Sequence, residues 1–378
     1  MSLFRFQDPD ALARRDLAPG PLVEPAEADV ERLRSVVGYP LVSILLATTP
    51  GDRMESEDAI RLSAMLGDVE RRLRAESTVH DAVRLADRCR SAAIELLDEP
   101  CGWGLALFVG GDLVEAFRLP HTPTERVVID PTFATRELEF AVRRSPGCRV
   151  VVIGPDVTRL FVVERGSCEE RFTARFPVTG PVPHLGLRDH VSDVVSGILL
   201  DRASWALPLI LVGPRLVADA ISTASGFETL AQVEGRGGEM DTDSVLALAQ
   251  SVTASVSARG SDHALDRLDR AVINGTAATG LESVWTAAVQ GTVQLVVIDR
   301  DFSQGAVVDP ANGAAELVDD PAAPGAIDDL VDELIEFTML AGGEVVFVDR
   351  GELGDDRVAA VCRGSRQPVD LDRLKAVV

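Results

Sequence analysis

Short segments that are apolar at almost every position constrain this chain most: 40-PLVSILLAT-48, 149-RVVVIG-154, 208-PLILVG-213 and 292-TVQLVVID-299. Each has strand length and lacks the alternation of a strand with one wet face, so each reads as a buried strand. Buried strands need cover on their faces, and the helical stretches between them make the chain α/β. At 378 residues it exceeds one small core, and two or three domains are expected.

The intervening pattern fixes an order. A weakly periodic arm (1–38) carries one short helix near 27-EADVERLRSVV-37. After the first strand come two long helices, one with Leu62, Met65, Leu66, Val69 and Leu73 on its apolar face, the next with Ala82, Ala86, Cys89, Ala93 and Leu97. A hairpin (104–119), a strand (126–130) and a helical stretch to 142 follow, and 143-RRSPG-147 reads as a linker. Next is a three-stranded meander (149–176), a Pro/Gly/His loop 177-PVTGPVPHLGLRDH-190, and alternating helices and strands to 254. The Ser/Ala/Gly stretch 251-SVTASVSARGSD-262 reads as a second linker, with helices predicted over 241–254 and 263–274. The expected domains are therefore 1–147, 148–254 and 255–378, the middle one built on a mixed sheet.

Formal net charge is −23, distributed as −7, −4 and −12 over those three spans, and Lys375 is the only lysine. Such acidity excludes a general DNA or RNA binder, so any nucleic-acid contact must use a local arginine patch. The five scattered cysteines form no C-x-x-C pair, which argues against a disulfide framework or a zinc knuckle. With one lysine at 375 there is no phosphate-binding G-x-x-x-x-G-K-[ST] loop, and neither G-x-S-x-G nor H-E-x-x-H occurs. No cofactor or metal is expected. The N-terminus lacks a basic-then-apolar leader and no apolar run could span a bilayer, so a soluble cytoplasmic protein without membrane contact is expected.

Three blocks in this order, 'PLVSILLAT … GLALFVGG', 'VVVIG … RLFVVERG' and 'GLESVWTAAVQGTVQLVVIDRDF … AGGEVVFVDRGELGDDRVAAVCR', resemble the archaeal and eukaryotic class-1 release factor superfamily, above all its bacterial, Pelota-like branch. The resemblance implies an RNase H-like middle domain and a C-terminal domain like kink-turn-binding ribosomal proteins. It also implies the ribosomal A site as partner, with a translational GTPase docking on the acidic C-terminal domain. In that superfamily a Gly-Gly-Gln loop in the middle domain hydrolyses peptidyl-tRNA. The stretch 232-QVEGRGGEMD-241 comes within one residue of it, but it follows a later strand, and the family's slot is filled here by 177–190. Gly237-Gly238-Glu239 therefore reads as a structural turn, and a glutamate carboxylate there would repel a developing oxyanion.

Two groups are candidate contacts. Arg71, Arg72 and Arg74 lie near the tip of the two-helix hairpin, where guanidinium groups suit phosphate and base contacts; a solvated face balanced by Glu70 and Glu76 is the other reading. His184, Arg188 and His190 could meet RNA from the 177–190 loop, or that loop could lead into a helix capped by Asp189. The acidic run 328-DDLVDELIE-336 reads as the solvent face of an amphipathic helix with Leu330, Leu334 and Phe337 buried. No catalytic residue is assigned. The expected role is A-site binding in stress, rescue or hibernation without hydrolysis. A peptidyl-tRNA hydrolase with an altered loop and a non-ribosomal adaptor stay open as alternatives.

Overall fold

The computed structural model describes residues 22–363, except 77–78, 155–156, 176–182, 202–203, 205, 236–239, 310 and 319–324. The chain is a mixed α/β protein with several sheets.

In the N-terminal unit, α1 (Glu27–Arg34) and β1 (Leu41–Ala47) precede the helical hairpin α2 (Ser56–Glu76) and α3 (Val79–Glu95). Strands β2 (Gly104–Gly110), β3 (Leu113–Leu119) and β4 (Arg126–Asp130) and helix α4 (Arg136–Arg144) complete it. The antiparallel sheet has the order β3-β2-β1-β4. β1 is buried on both faces because its alternate side chains serve two cores. Val42, Ile44 and Leu46 pack with α2 and α3 residues such as Leu62 and Cys89. Leu41 and Leu45 pack with Leu33 and Leu138 from α1 and α4.

The middle unit holds β5 (Cys148–Ile153), β6 (Val157–Glu164), β7 (Ser167–Arg175), α5 (Pro183–Leu200), β8 (Leu209–Val212), α6 (Arg215–Ser225) and β9 (Thr229–Val233). Its sheet runs β7-β6-β5-β8-β9, the meander antiparallel and the last strands parallel to β5, as expected of the RNase H-like sheet. Val151 and Ile153 face α5 and α6, whereas Val150 and Val152 face the next helix. Arg149, at the start of β5, is fully buried; it donates to the Leu207 carbonyl and lies 3.9 Å over the Phe227 ring.

That next helix, α7 (Thr242–Ile273), corrects the sequence reading. The stretch 251–262 is not an irregular linker but the centre of a 32-residue helix, about 48 Å long at 1.5 Å per residue. The boundary expected at 254/255 falls within it. Small residues carry the same 3.6 period as large ones: Val245 and Ala249 enter the middle core, and Ala264 and Leu268 enter a C-terminal one. The intervening serines donate back to carbonyls one turn earlier, Ser255 to Ser251 and Ser261 to Ser257, so their polarity does not break the helix.

Beyond α7 come β10 (Ala277–Thr279), α8 (Leu281–Val289), β11 (Val293–Asp299), β12 (Gly305–Val308), β13 (Ala315–Val318), β14 (Ala326–Ile327), α9 (Leu330–Leu340), β15 (Glu344–Val348) and β16 (Val358–Cys362). The main sheet has the order β10-β16-β11-β15 with β11 and β15 parallel, and β13-β12-β14 form a small second sheet. Trp285 is 1% exposed in the core and donates its indole N–H to the Gly313 carbonyl at 2.7 Å. Trp103, by contrast, is exposed, and Trp205 lies outside the described residues.

Candidate functional site

The three hairpin arginines separate by helix geometry. Each residue turns α2 by about 100°, so Arg71 and Arg74 neighbour one another and Arg72 points to a different side. Arg71 and Arg74 are exposed, with ion pairs to Asp68 and Glu70 one turn back on the same helix. Arg90 of α3 also reaches Glu70, at 2.8 Å. Exposed pairs of this kind hold their partners weakly and exchange them readily for a phosphate. Arg72 is committed elsewhere: its guanidinium donates to both oxygens of Asp328, at 2.8 and 2.6 Å, and to the Val127 carbonyl. Only two of the three arginines are thus presented outward.

The middle-unit candidates sit on a helix and not in a loop. α5 begins at Pro183, so His184, Arg188 and His190 all lie in its first half and Asp189 is internal to it, not a cap. The side chain of His184 lies outside the described residues. Arg188 is exposed, whereas His190 is buried with its Nε2 2.8 Å from the Thr158 hydroxyl of β6. Burial lowers the His190 pKa, with the charge of Asp193 acting against it. His190 thus joins α5 to the sheet, and Arg188 is left facing outward. Residues 177–182 of the expected loop lie outside the described residues, as do Arg236-Gly237-Gly238-Glu239. The described neighbours of the latter place it between β9 and α7, where Asp241 caps the helix by accepting from the Ser244 amide.

A charged interface joins the N-terminal and C-terminal units, and it overturns the reading of 328–336 as a solvated face. Asp329, Glu333 and Glu336 are buried with Leu330, Leu334 and Phe337. Asp329, the N-cap of α9, and Asp332, Glu333 and Glu336 within it recur at helical spacing, but part of that stripe meets arginines of the N-terminal unit. Arg126 of β4 lies 3.4 Å from Asp329 and 3.3 Å from Asp332, and Arg136 of α4 lies 3.1 Å from Asp329. Thr132 donates to Glu333 at 2.7 Å. Among the described residues β4 is an edge strand paired with β1, and Asp328 covers its other side: the Ile129 amide donates to Asp328 at 3.1 Å, and the Asp328 amide donates to Asp130. Phe140 of α4 enters the C-terminal core and meets Phe347 edge to face at 5.6 Å.

The carboxylates at this interface shift in different directions according to what each one meets. Burial and the nearby Asp329 charge push Asp332 up to about 6, against the lowering by Arg136 and Arg126. Burial and Asp328 raise Asp130 well above the usual range, although the Asp328 amide opposes this. Glu137 goes the other way: burial raises it, but the hydrogen bond with His121 at 2.8 Å and the charge of Arg136 leave it lowered.

A lighter contact joins the N-terminal and middle units. The two-residue β6–β7 turn has Arg165 at φ 55° and Gly166 at φ 70°, the left-handed pair that a tight hairpin requires. This aims Arg165 at Asp29 of α1, 2.8 Å away. Asp29 also accepts from the Ala26 amide at the helix start. Burial raises the Asp29 pKa, but the Ala26 amide, Arg32 and Arg165 outweigh it and leave it lowered. Beside this contact lies a cleft of about 390 Å³ lined by Glu24, Glu27, Glu31, Glu164 and Arg165 among others.

Other chemistry is thin. Burial pushes the thiols of Cys89 and Cys148 up to about 12 and that of Cys168 to about 11, so none of these is a nucleophile near neutrality. Among the described residues no three His, Cys, Asp or Glu side chains are placed to hold a metal ion, and no helix is long and apolar enough to cross a membrane.

No protein-family profile matches this chain, and no curated protein matches it. Among solved structures it is similar to an archaeal translation termination factor, aRF1, at 15% identity over 90% of this chain and 99% of that one, with a TM-score of 0.26. It is similar to S. cerevisiae Dom34, described as a translation termination-like factor involved in RNA quality control and interacting with Hbs1, at 14% identity over 72% and 76% of the two chains, TM-score 0.42. A ribosome-bound archaeal Pelota, described together with ABCE1, is similar at 14% identity over 92% and 96%, TM-score 0.42. These structural neighbours are release-factor-like proteins at low identity.

Proposed function

We propose that this protein is a release-factor-like, ribosome-associated factor that binds near the A site during stress, rescue or hibernation and does not hydrolyse peptidyl-tRNA. The observation that supports this best is the succession of an N-terminal unit with a helical hairpin, an RNase H-like middle sheet and a C-terminal mixed sheet, with Arg71 and Arg74 directed outward on the hairpin. The domain spans 1–147, 148–254 and 255–378 are kept as the working division, with α7 bridging the last two. RNA contact falls to Arg71 and Arg74, with Arg188 as a third exposed guanidinium; Arg72 is withdrawn from that role by Asp328. The acidic C-terminal unit would dock a protein, a translational GTPase being the partner of that kind.

Hydrolysis is set aside because the chain carries no Gly-Gly-Gln, and the slot expected for that loop becomes helix from Pro183. Sedimentation with ribosomes at low and high salt tests the proposal. Binding at low salt that weakens with salt is expected, and it should fall further in Arg71→Glu/Arg74→Glu. Absence of co-sedimentation at low salt, including from stationary-phase extract, would contradict it and favour a non-ribosomal adaptor. Release of labelled peptide from stalled ribosomes would restore the hydrolase reading.

A further inference from the structure

We propose that Arg74 of α2 and Arg90 of α3 form a cradle for one phosphodiester group of an RNA strand, and that Glu70 fills this cradle as an internal competitor until RNA displaces it. The inference deepens the ribosome reading and rests on it for the source of the RNA. It adds Arg90 as a contact and Glu70 as the group that regulates binding.

The geometry is that of one anion held between two helices. Glu70 divides its carboxylate: Oε1 lies 2.5 Å from an Arg74 nitrogen, and Oε2 accepts from Arg90 at 2.8 Å. Arg74 follows Glu70 by one turn of α2, whereas Arg90 reaches it from α3, 20 residues along the chain. A phosphodiester offers guanidinium groups what this carboxylate offers, one negative charge spread over two free oxygens. The side chains of Arg74, Arg90 and Glu70 are 56%, 46% and 28% exposed, so a strand in solvent reaches all three.

The bridge is not what holds the hairpin together. Val69 and Leu73 of α2 and Ala86 and Cys89 of α3 are buried in the core that joins the two helices, and exposed ion pairs add little to such packing. Arg90 keeps a second anchor, Asp87 at 3.0 Å, and so stays in place when Glu70 swings away. Binding therefore exchanges two pairs with Glu70 for two with phosphate, while the charge of Glu70 beside the arriving phosphate opposes it. Neutralising Glu70 removes that opposition and leaves both guanidiniums where they are.

Binding of a short fluorescein-labelled single-stranded RNA to the full-length protein at low salt, read by fluorescence anisotropy, tests the cradle without the ribosome. Glu70→Gln should bind about threefold to tenfold more tightly than wild type. Adding Arg74→Gln or Arg90→Gln to it should abolish the gain. Glu57→Gln, in the first turn of the same helix, removes the same charge away from the cradle and should leave the affinity near that of wild type. No gain in Glu70→Gln, an equal gain in Glu57→Gln, or a gain that survives the loss of Arg90 overturns the proposal. Sedimentation of the same variants with ribosomes separates this inference from the functional one. Wild-type protein that sediments with ribosomes, with no RNA gain in Glu70→Gln, sinks the cradle alone. An RNA gain that depends on Arg74 and Arg90, without ribosome binding by any variant, sinks the ribosome reading alone.

Discussion

The two contacts that the N-terminal unit makes with its neighbours differ in kind. Against the C-terminal unit it presents Arg136, 1% exposed, to Asp329, 2% exposed, with Phe140 inserted into the neighbouring core. Against the middle unit it presents Asp29 to Arg165, a half-exposed arginine on a surface turn. The first contact is an extended buried network, and the second centres on an ion pair at the rim of a cleft. Burial decides the energetics: the first contact buries both partners and is costly to break, whereas the second buries Asp29 but leaves Arg165 partly in water. It also decides the response to pH. At the C-terminal contact, burial and neighbouring carboxylates raise the pKa values of Asp332 and Asp130. Asp29 carries a lowered one, so its contribution is present at neutral pH and lost as pH falls below the ordinary carboxylate range.

The buried contact is most sensitive at Arg136. Arg136→Ala leaves Asp329 buried beside Asp332 without its nearest cation, and should cost about 3–5 kcal/mol in urea unfolding. Adding Asp329→Ala should recover part of that loss, because the two residues act as a pair. Phe140→Ala should cost about 3 kcal/mol by emptying the space between His121 and Phe347. At the lighter contact, Asp29→Asn should cost about 1 kcal/mol near neutral pH, and the difference from wild type should shrink in acid unfolding. Smallest of all, Arg71→Ala with Arg74→Ala should leave stability within about 0.5 kcal/mol, since both pairs lie in water. If that double variant proves as costly as Arg136→Ala, the division into buried and surface contacts is wrong.

Much of the fold was legible because apolar patterning is local. The double burial of β1 is written in Leu41 to Leu46, and the hairpin in its Gly110-Gly111 turn. The position of the Gly-Gly-Glu stretch after a later strand could be read from element order alone. The uninterrupted α7 was missed because serine, alanine and glycine resemble a linker in composition, although Ala249, Ala264 and Ala271 keep helical spacing with the larger residues. The acidic stripe of α9 was legible as a face, but periodicity does not say what covers a face. The cover lies about 200 residues away in 126-RVVIDPTFATRELEF-140, where Arg126 and Arg136 stand among other polar residues and nothing in the local pattern marks them as partners of α9. Likewise the 100° step along α2 separates Arg72 from Arg71 and Arg74, but its destination, Asp328, is a long-range fact. His190 and its hydroxyl partner Thr158 are equally non-local.

In the proposed function Arg71 and Arg74 meet the ribosome while Arg72 stays paired with Asp328. An electron-microscopy map of ribosomes incubated with the protein at low salt tests that most directly. Density for the chain is expected near the A site, with the α2–α3 hairpin against ribosomal RNA and α9 still seated on β4 and α4. Ribosomes free of the protein, or density in which Arg72 has left Asp328 to contact RNA, would contradict it.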